Sequence, residues 1–226
     1  MNVVGYDEWI GARNELLAKE KEFTRARDEV TKRRQALPWE AVVKEYVFDG
    51  PGGKETLAAL FDGRSQLIVY HFMFDPEDDV GCPVCSFWAD NFDPVVLHLE
   101  ARDVTMIAIS RAPFAKIAPY KERMGWSFKW VSSFENDFNY DYDVSFRPEQ
   151  QDETVFNYET LAPRNPDREG LSVFAQADGG NVFHTYSAYA RGIDLVNTAY
   201  NYLDLVPKGR DEDGRGPFWV RRHDEY

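Results

Sequence analysis

The sequence predicts an α/β fold, a three-layer sandwich around a mixed sheet with a long N-terminal helix and an Asp/Tyr-rich insertion. Three observations carry this reading. Two apolar runs, residues 67–74 and 104–109, flank a stretch of helical periodicity. A hairpin pattern followed by a helix stands near the C-terminal end. Both cysteines, Cys82 and Cys85, fall where the first flanked helix should begin.

The chain has 226 residues, which favours one core with extensions. Residues 7–37 read as one charged helix. Leu16, Phe23, Val30 and Leu37 recur every seven residues and make a narrow apolar seam. That seam is expected to dock either on the chain's own body or on a second copy, as a homodimer through the N-terminal helix. Pro38 ends the helix. Asp49-Gly50-Pro51-Gly52-Gly53 reads as a loop, and lacks the Gly-Lys-Ser/Thr of a phosphate cradle.

Residues 67–74 are nearly continuously apolar, as in a strand buried on both faces. Residues 83–102 read as a helix, with Val84, Trp88, Phe92, Val95 and Leu99 on one face and a kink at Pro94. Residues 104–109 make a second buried strand, so the unit implies a right-handed parallel crossover. Ser110 is expected to cap a short helix with Pro113 in its first turn.

Residues 133–169 are rich in Asp, Asn, Phe and Tyr. Phe138, Tyr140, Tyr142, Val144 and Phe146 alternate with polar residues and predict a half-exposed strand. The remainder, with Pro148, Pro163 and Pro166, reads as a long loop. Leu171–Phe174, a turn at Asp178-Gly179-Gly180 and Val182–Tyr186 predict a hairpin. A helix is expected near 192–205. The division is 1–38 for the helical arm, 39–206 for the main domain with its insertion at about 133–169, and 207–226 for a polar tail. The order, β-α-β, an interruption, then β-β-α, is the thioredoxin arrangement.

Composition narrows the function. The net charge of −13 disfavours nucleic acid and anionic membrane surfaces, which need a basic face. No apolar stretch approaches the roughly 18 residues of a membrane span. The N-terminal residues lack a secretory pattern, so a cytoplasmic protein is expected. In a reducing compartment, cysteines three positions apart point to redox work or metal.

Cys82-Pro83-Val84-Cys85 carries the strongest chemical signal. Pro83 suits the first helical position, which puts Cys82 at the N-cap. There, unpaired backbone N–H groups and the helix dipole favour its thiolate. Cys85 lies one turn on, placed to resolve a mixed disulfide. The expectation is a thiol–disulfide oxidoreductase with Cys82 as nucleophile and Cys85 resolving. Gly81, Pro83 and Trp88 are expected beside the site, and no cofactor is implied. The substrate would be a small-molecule or protein disulfide.

Two alternatives stay open at this point: a redox-silent binding protein whose cysteines pack, and a metal-binding protein. A metal needs two further ligands. His71 reads as a core histidine and His98 as exposed, and no tightly spaced His pair accompanies the cysteines. Asp137–Asp143 starts like a calcium loop, but Tyr142 and Pro148 stand where Gly and Glu are needed. A peroxiredoxin-like Pro-X-X-X-Thr-X-X-Cys, aligned on Cys85, fails at Asp78 and Cys82.

Several stretches carry a resemblance. They include Tyr70–Phe74, Gly81–Cys85, Ser110–Pro113, Met124–Trp126, Trp130–Ser133, Asp137–Asp141, His184–Gly192 and the Arg221–Tyr226 end. With these the chain resembles the bacterial thioredoxin-like family catalogued as domain of unknown function 899. The resemblance implies a fold and a cysteine pair, and no activity. Against thioredoxins proper, Glu169-Gly170 occupies the slot of their cis-proline, and Gly81 stands where they carry Trp.

Overall fold

The computed structural model describes residues 2–150, 154–161 and 165–226. It divides into two units, Met1–Pro38 and Trp39–Tyr226.

The first unit is helix α1, Tyr6–Gln35. Asp7 and Glu8 stand in its first turn and Lys32, Arg33 and Arg34 in its last, complementing the helix dipole at both ends. Trp9, Leu16, Phe23 and Val30, seven residues apart, are each more than half exposed. Leu16, Phe23 and Val30 belong to the seam predicted from the sequence, whose fourth member, Leu37, lies beyond the end of α1.

The second unit opens with strands β1 (Glu40–Ala41), β2 (Val47–Gly50) and β3 (Gly53–Thr56). The Asp49–Gly53 segment, expected as a loop, is the tight end of the β2–β3 hairpin, with Gly53 at φ 101°. A 3-10 turn over Ala59–Phe61 leads to β4 (Gln66–His71). Helix α2 runs over Pro83–Phe92. The helix expected to reach residue 102 breaks at Pro94 into a 3-10 turn, Asp93–Val95, and helix α3, Val96–Glu100. Proline removes the N–H there and its ring crowds the preceding turn.

Strand β5 covers Val104–Ser110, helix α4 Phe114–Met124 and strand β6 Lys129–Ser132. Ser110 does not cap α4. It ends β5, where its hydroxyl donates to the Phe72 carbonyl at 2.7 Å, and Pro113 takes the N-cap.

The alternating segment from Phe138 is not a strand. Phe138–Asp141 is a helical turn, α5, started by the Asn136 side chain accepting from the Phe138 N–H at 2.9 Å. Phe138 and Tyr142 are four apart, so one turn puts both rings on one side, stacked against His71. A small hairpin follows, β7 (Thr154–Phe156) and β8 (Glu159–Leu161), where a loop was expected. Asn157 and Tyr158 both take positive φ in its turn. Pro163 lies outside the described residues.

Strands β9 (Gly170–Gln176) and β10 (Val182–Tyr189) form the predicted hairpin. The terminal helix is split into a 3-10 turn, Ala190–Val196, and helix α6, Thr198–Leu203. Asn197 stands between them, and its side chain accepts from the Tyr200 N–H at 3.0 Å.

The sheet order is β1-β10-β9-β4-β5-β6-β2-β3. Strands β4, β5 and β6 are parallel neighbours, while β9 runs antiparallel to β4. The core β5-β4-β9-β10, with α2 crossing from β4 to β5, is the thioredoxin fold that the sequence predicted. Two right-handed crossovers stepping the same way along the sheet put α2 and α4 on one face. Residues from α5 cover the other face on the way from β6 back to β9. Side chains alternate accordingly: Tyr70, Met106 and Ala108 pack with α2 and α4, whereas Val69, Ile107 and Ile109 pack with Phe138 and Phe174.

Candidate functional site

Both cysteines are free thiols at the start of α2. Cys82 is the N-cap and Pro83 the first helical residue, so no proline N–H is lost. Cys82 is half-buried and Cys85 almost wholly buried. Met73, just beyond β4, holds both. Its carbonyl accepts from the Cys82 N–H at 3.1 Å, and its own N–H donates to the Cys85 sulfur at 3.4 Å. The Ser86 N–H and hydroxyl close the first turn on the Cys82 carbonyl at 3.0 and 2.9 Å.

The two thiols differ in acidity. The Cys85 thiol donating to the Cys82 sulfur is the main cause that brings Cys82 down to about 7. The Cys85 and Val84 backbone N–H groups add to it, while burial opposes it. Burial pushes Cys85 well up, and its partner's charge pushes it further. The Tyr70 hydroxyl, wholly buried beside Cys85, is raised chiefly by burial. Glu169 immediately precedes β9, in the slot of the thioredoxin cis-proline. Burial raises its carboxyl, and its charge disfavours both thiolates.

Cys82 forms part of the wall of a cavity of about 330 Å³, with Met73, Asp75, Asp78, Pro166 and Asp167. Arg111 lies behind this wall, paired with Asp75 and, at 3.1 Å, with Asp167. The Tyr140 hydroxyl accepts from the same guanidinium at 2.5 Å. Burial raises Asp167 to about 6, against the pull of Arg111. On the other side of α2, Val84, Trp88, Glu169 and Tyr200 line a cavity of about 540 Å³. Trp88 is buried and donates to the Ile193 carbonyl at 3.1 Å.

Gly81 is fixed by sterics. A Cβ there would come within 2.7 Å of the Phe72 and Tyr120 rings. Its carbonyl accepts from Arg222 at 2.7 Å and lies 3.4 Å from the Tyr120 hydroxyl. Tyr120 in turn meets the Ser86 hydroxyl at 2.8 Å and Arg222 Nε at 3.0 Å.

Sequence reasoning singled out Cys82, Cys85, Gly81, Pro83 and Trp88; the first four stand at or beside the start of α2, whereas Trp88 lies in its middle and lines the other cavity. It offered no geometry for Arg111, which lies behind the Cys82 cavity, or for His184, which lies on the opposite face of the sheet. It missed Tyr70, Asp75, Tyr120, Asp167 and Arg222. Tyr70 and Arg222 had a signal, as parts of the Tyr70–Phe74 stretch and the Arg221–Tyr226 end. His98 is exposed. His71 is buried in the far-face core, with its Nε2 2.8 Å from the Ser172 hydroxyl. From there hydroxyls and rings continue through Ser187 to His184 at 2.8 Å per step, ending at Glu40, 3.2 Å away. Among the described residues, no group of three His, Cys, Asp or Glu side chains is placed to hold a metal. No helix among them is long and apolar enough to cross a membrane.

A parallel β-α-β unit joined to an antiparallel hairpin, with a Cys-X-X-Cys at the first helix N-terminus, defines a thioredoxin-fold protein. The chain belongs to the family described as bacterial protein of unknown function (DUF899), whose model matches residues 1–226. Comparison with curated protein sequences gives no match. Among solved structures, it is similar to the peroxidoxin BcpB from Mycobacterium tuberculosis. That match has 11% identity and a TM-score of 0.49, covering 72% of this chain and 94% of the other. A Xanthomonas campestris peroxiredoxin Q mutant gives 13% identity and a TM-score of 0.49, covering 73% and 98%. The mitochondrial 2-Cys peroxiredoxin from Plasmodium falciparum gives 14% and 0.43, covering 74% and 93%.

Proposed function

We propose that this protein is a thiol–disulfide oxidoreductase. The observation that supports it best is the asymmetry of the pair: a cavity-lining Cys82 titrating at about 7, and a buried Cys85 held at high pKa that donates to it. A thiol titrating near ambient pH combines a useful thiolate fraction with good nucleophilicity.

In the proposed cycle the Cys82 thiolate attacks one sulfur of a substrate disulfide. A Cys82–substrate disulfide forms, and the other half leaves as a thiolate that takes up a proton. Cys85 then loses its proton and attacks the Cys82 sulfur. The Cys82–Cys85 disulfide forms and the second substrate thiol leaves. The substrate gains two electrons and the protein dithiol loses two; an external dithiol restores the pair. The cavity beside Cys82 suits a small disulfide, and the exposed rim also admits one carried on a peptide.

A redox titration, read by thiol alkylation and mass, tests this. A reversible two-electron transition between roughly −120 and −300 mV is expected. A pair that stays reduced throughout, with neither thiol reacting below about pH 8, rules the reading out.

A further inference from the structure

We infer that Arg222, from the C-terminal tail, is a positioning residue for the Cys82 nucleophile. The inference rests on the thiol reading above. It starts from one peptide unit, the bond joining Gly81 to Cys82. A peptide is planar, so its C=O and N–H turn together. Here both ends are held. Met73 accepts from the Cys82 N–H at 3.1 Å, and Arg222 donates to the Gly81 carbonyl at 2.7 Å. The Phe72 and Tyr120 rings fill the space where a Gly81 side chain would stand.

The tilt of this peptide sets φ of Cys82, −56°, and so the entry of the chain into α2. This holds Cys82 at the N-cap of α2, where the Val84 and Cys85 N–H groups help lower its pKa. Arg222 thus reaches the thiol through backbone geometry. It also fixes the Tyr120 hydroxyl, 3.0 Å away, which meets Ser86 in the first turn of α2.

The rest of the tail holds Arg222 in place. Arg222 Nη1 donates to Glu225 at 3.1 Å. Arg123 binds Asp224 at 2.7 Å and Glu225 at 3.0 Å, and His223 meets Asp90 at 2.7 Å. Exposed pairs of this kind contribute little to stability. Their joint result is to place one guanidinium, only 15% exposed, against the carbonyl that precedes the nucleophile.

The test is the pH dependence of Cys82 alkylation in the reduced full-length protein, located by mass, for wild type, Arg222→Ala and Arg222→Lys. The Arg222→Ala variant is expected to raise the midpoint by about one unit, which makes alkylation about tenfold slower at pH 6. The Arg222→Lys variant, which keeps one charged donor, is expected to recover part of the shift. Thermal unfolding serves as the control for folding. An Arg222→Ala midpoint equal to wild type overturns the inference. A wild-type Cys82 that does not react below pH 8 overturns the underlying thiol reading instead. If Arg222→Ala does not fold, Arg222→Lys decides: a smaller upward shift supports the inference, and none overturns it.

Discussion

The two faces of the central sheet each carry a chain of chemically capable side chains, and they differ in how the candidate nucleophile is placed. On the α2 face, Cys82 opens onto a cavity of about 330 Å³. On the other, His71, Ser172, Ser187 and His184 are linked at 2.8 Å per step, and Glu40 orients the last ring. Ser187, His184 and Glu40 have the partners of a nucleophile, a base and an orienting carboxylate. Yet Ser187 is buried, its hydroxyl is already shared with Ser172, and burial holds His71 neutral with a pKa of about 3. Residue types and hydrogen-bond distances alone do not make a reactive site. Access to a cavity and a tuned acidity count as well, and Cys82 combines the two.

The largest effect that can break this comparison comes from exchanging the reactive atoms. Cys82→Ser is expected to lower the rate of reduction of a small neutral disulfide about a thousandfold or more, because a serine hydroxyl stays protonated. Ser187→Ala is expected to leave that rate unchanged. A loss of turnover in Ser187→Ala comparable to that in Cys82→Ser would place the chemistry on the wrong face.

The next effect is on acidity. Cys82 is lowered to about 7, so its alkylation rate should rise about tenfold per pH unit below that value and level off above it. Cys85→Ala removes the strongest donor to the Cys82 sulfur. It should move the midpoint upward, so that alkylation at pH 6 slows while the plateau rate stays. Rates of iodoacetamide labelling across pH 5–9 read this directly, and an unmoved midpoint would assign the acidity to the helix N-terminus alone.

The smallest effect sharpens the far face. Ser187→Ala leaves the buried Ser172 hydroxyl and the His184 ring each short of a partner, at a cost of about 1–2 kcal/mol in urea unfolding. The cysteine alkylation profile should not change. A structural polar chain predicts that separation of stability from reactivity.

The cysteine face was legible because its signals are local. Proline directly after Cys82, an apolar run before it and a 3–4 spacing after it place the thiol at a helix N-cap without any tertiary information. The insertion was less legible. Phe138, Tyr140 and Tyr142 fit a period of two, but Phe138 and Tyr142 are also one helical turn apart, and packing on His71 and Phe174 decides for the helix. The same reason hides Arg222 and Asp167. Each meets its partners across long sequence separations, 141 residues between Arg222 and Gly81. Glu169 was visible as a substitute for proline. Its burial beside the thiols was not, since that depends on how β9 meets β4.

Gly81 leaves no room for a side chain beside Cys82. The direction in which residue 81 would project a side chain is filled by the Phe72 and Tyr120 rings. No recognition group can be built at that position without displacing the loop, and the tryptophan that thioredoxins present there has no room. Among the described residues, the cavity that Cys82 lines is bounded by Asp75, Asp78 and Pro166. On the proposed thiol chemistry, changes in substrate range should arise on that acidic flank and leave the glycine side untouched.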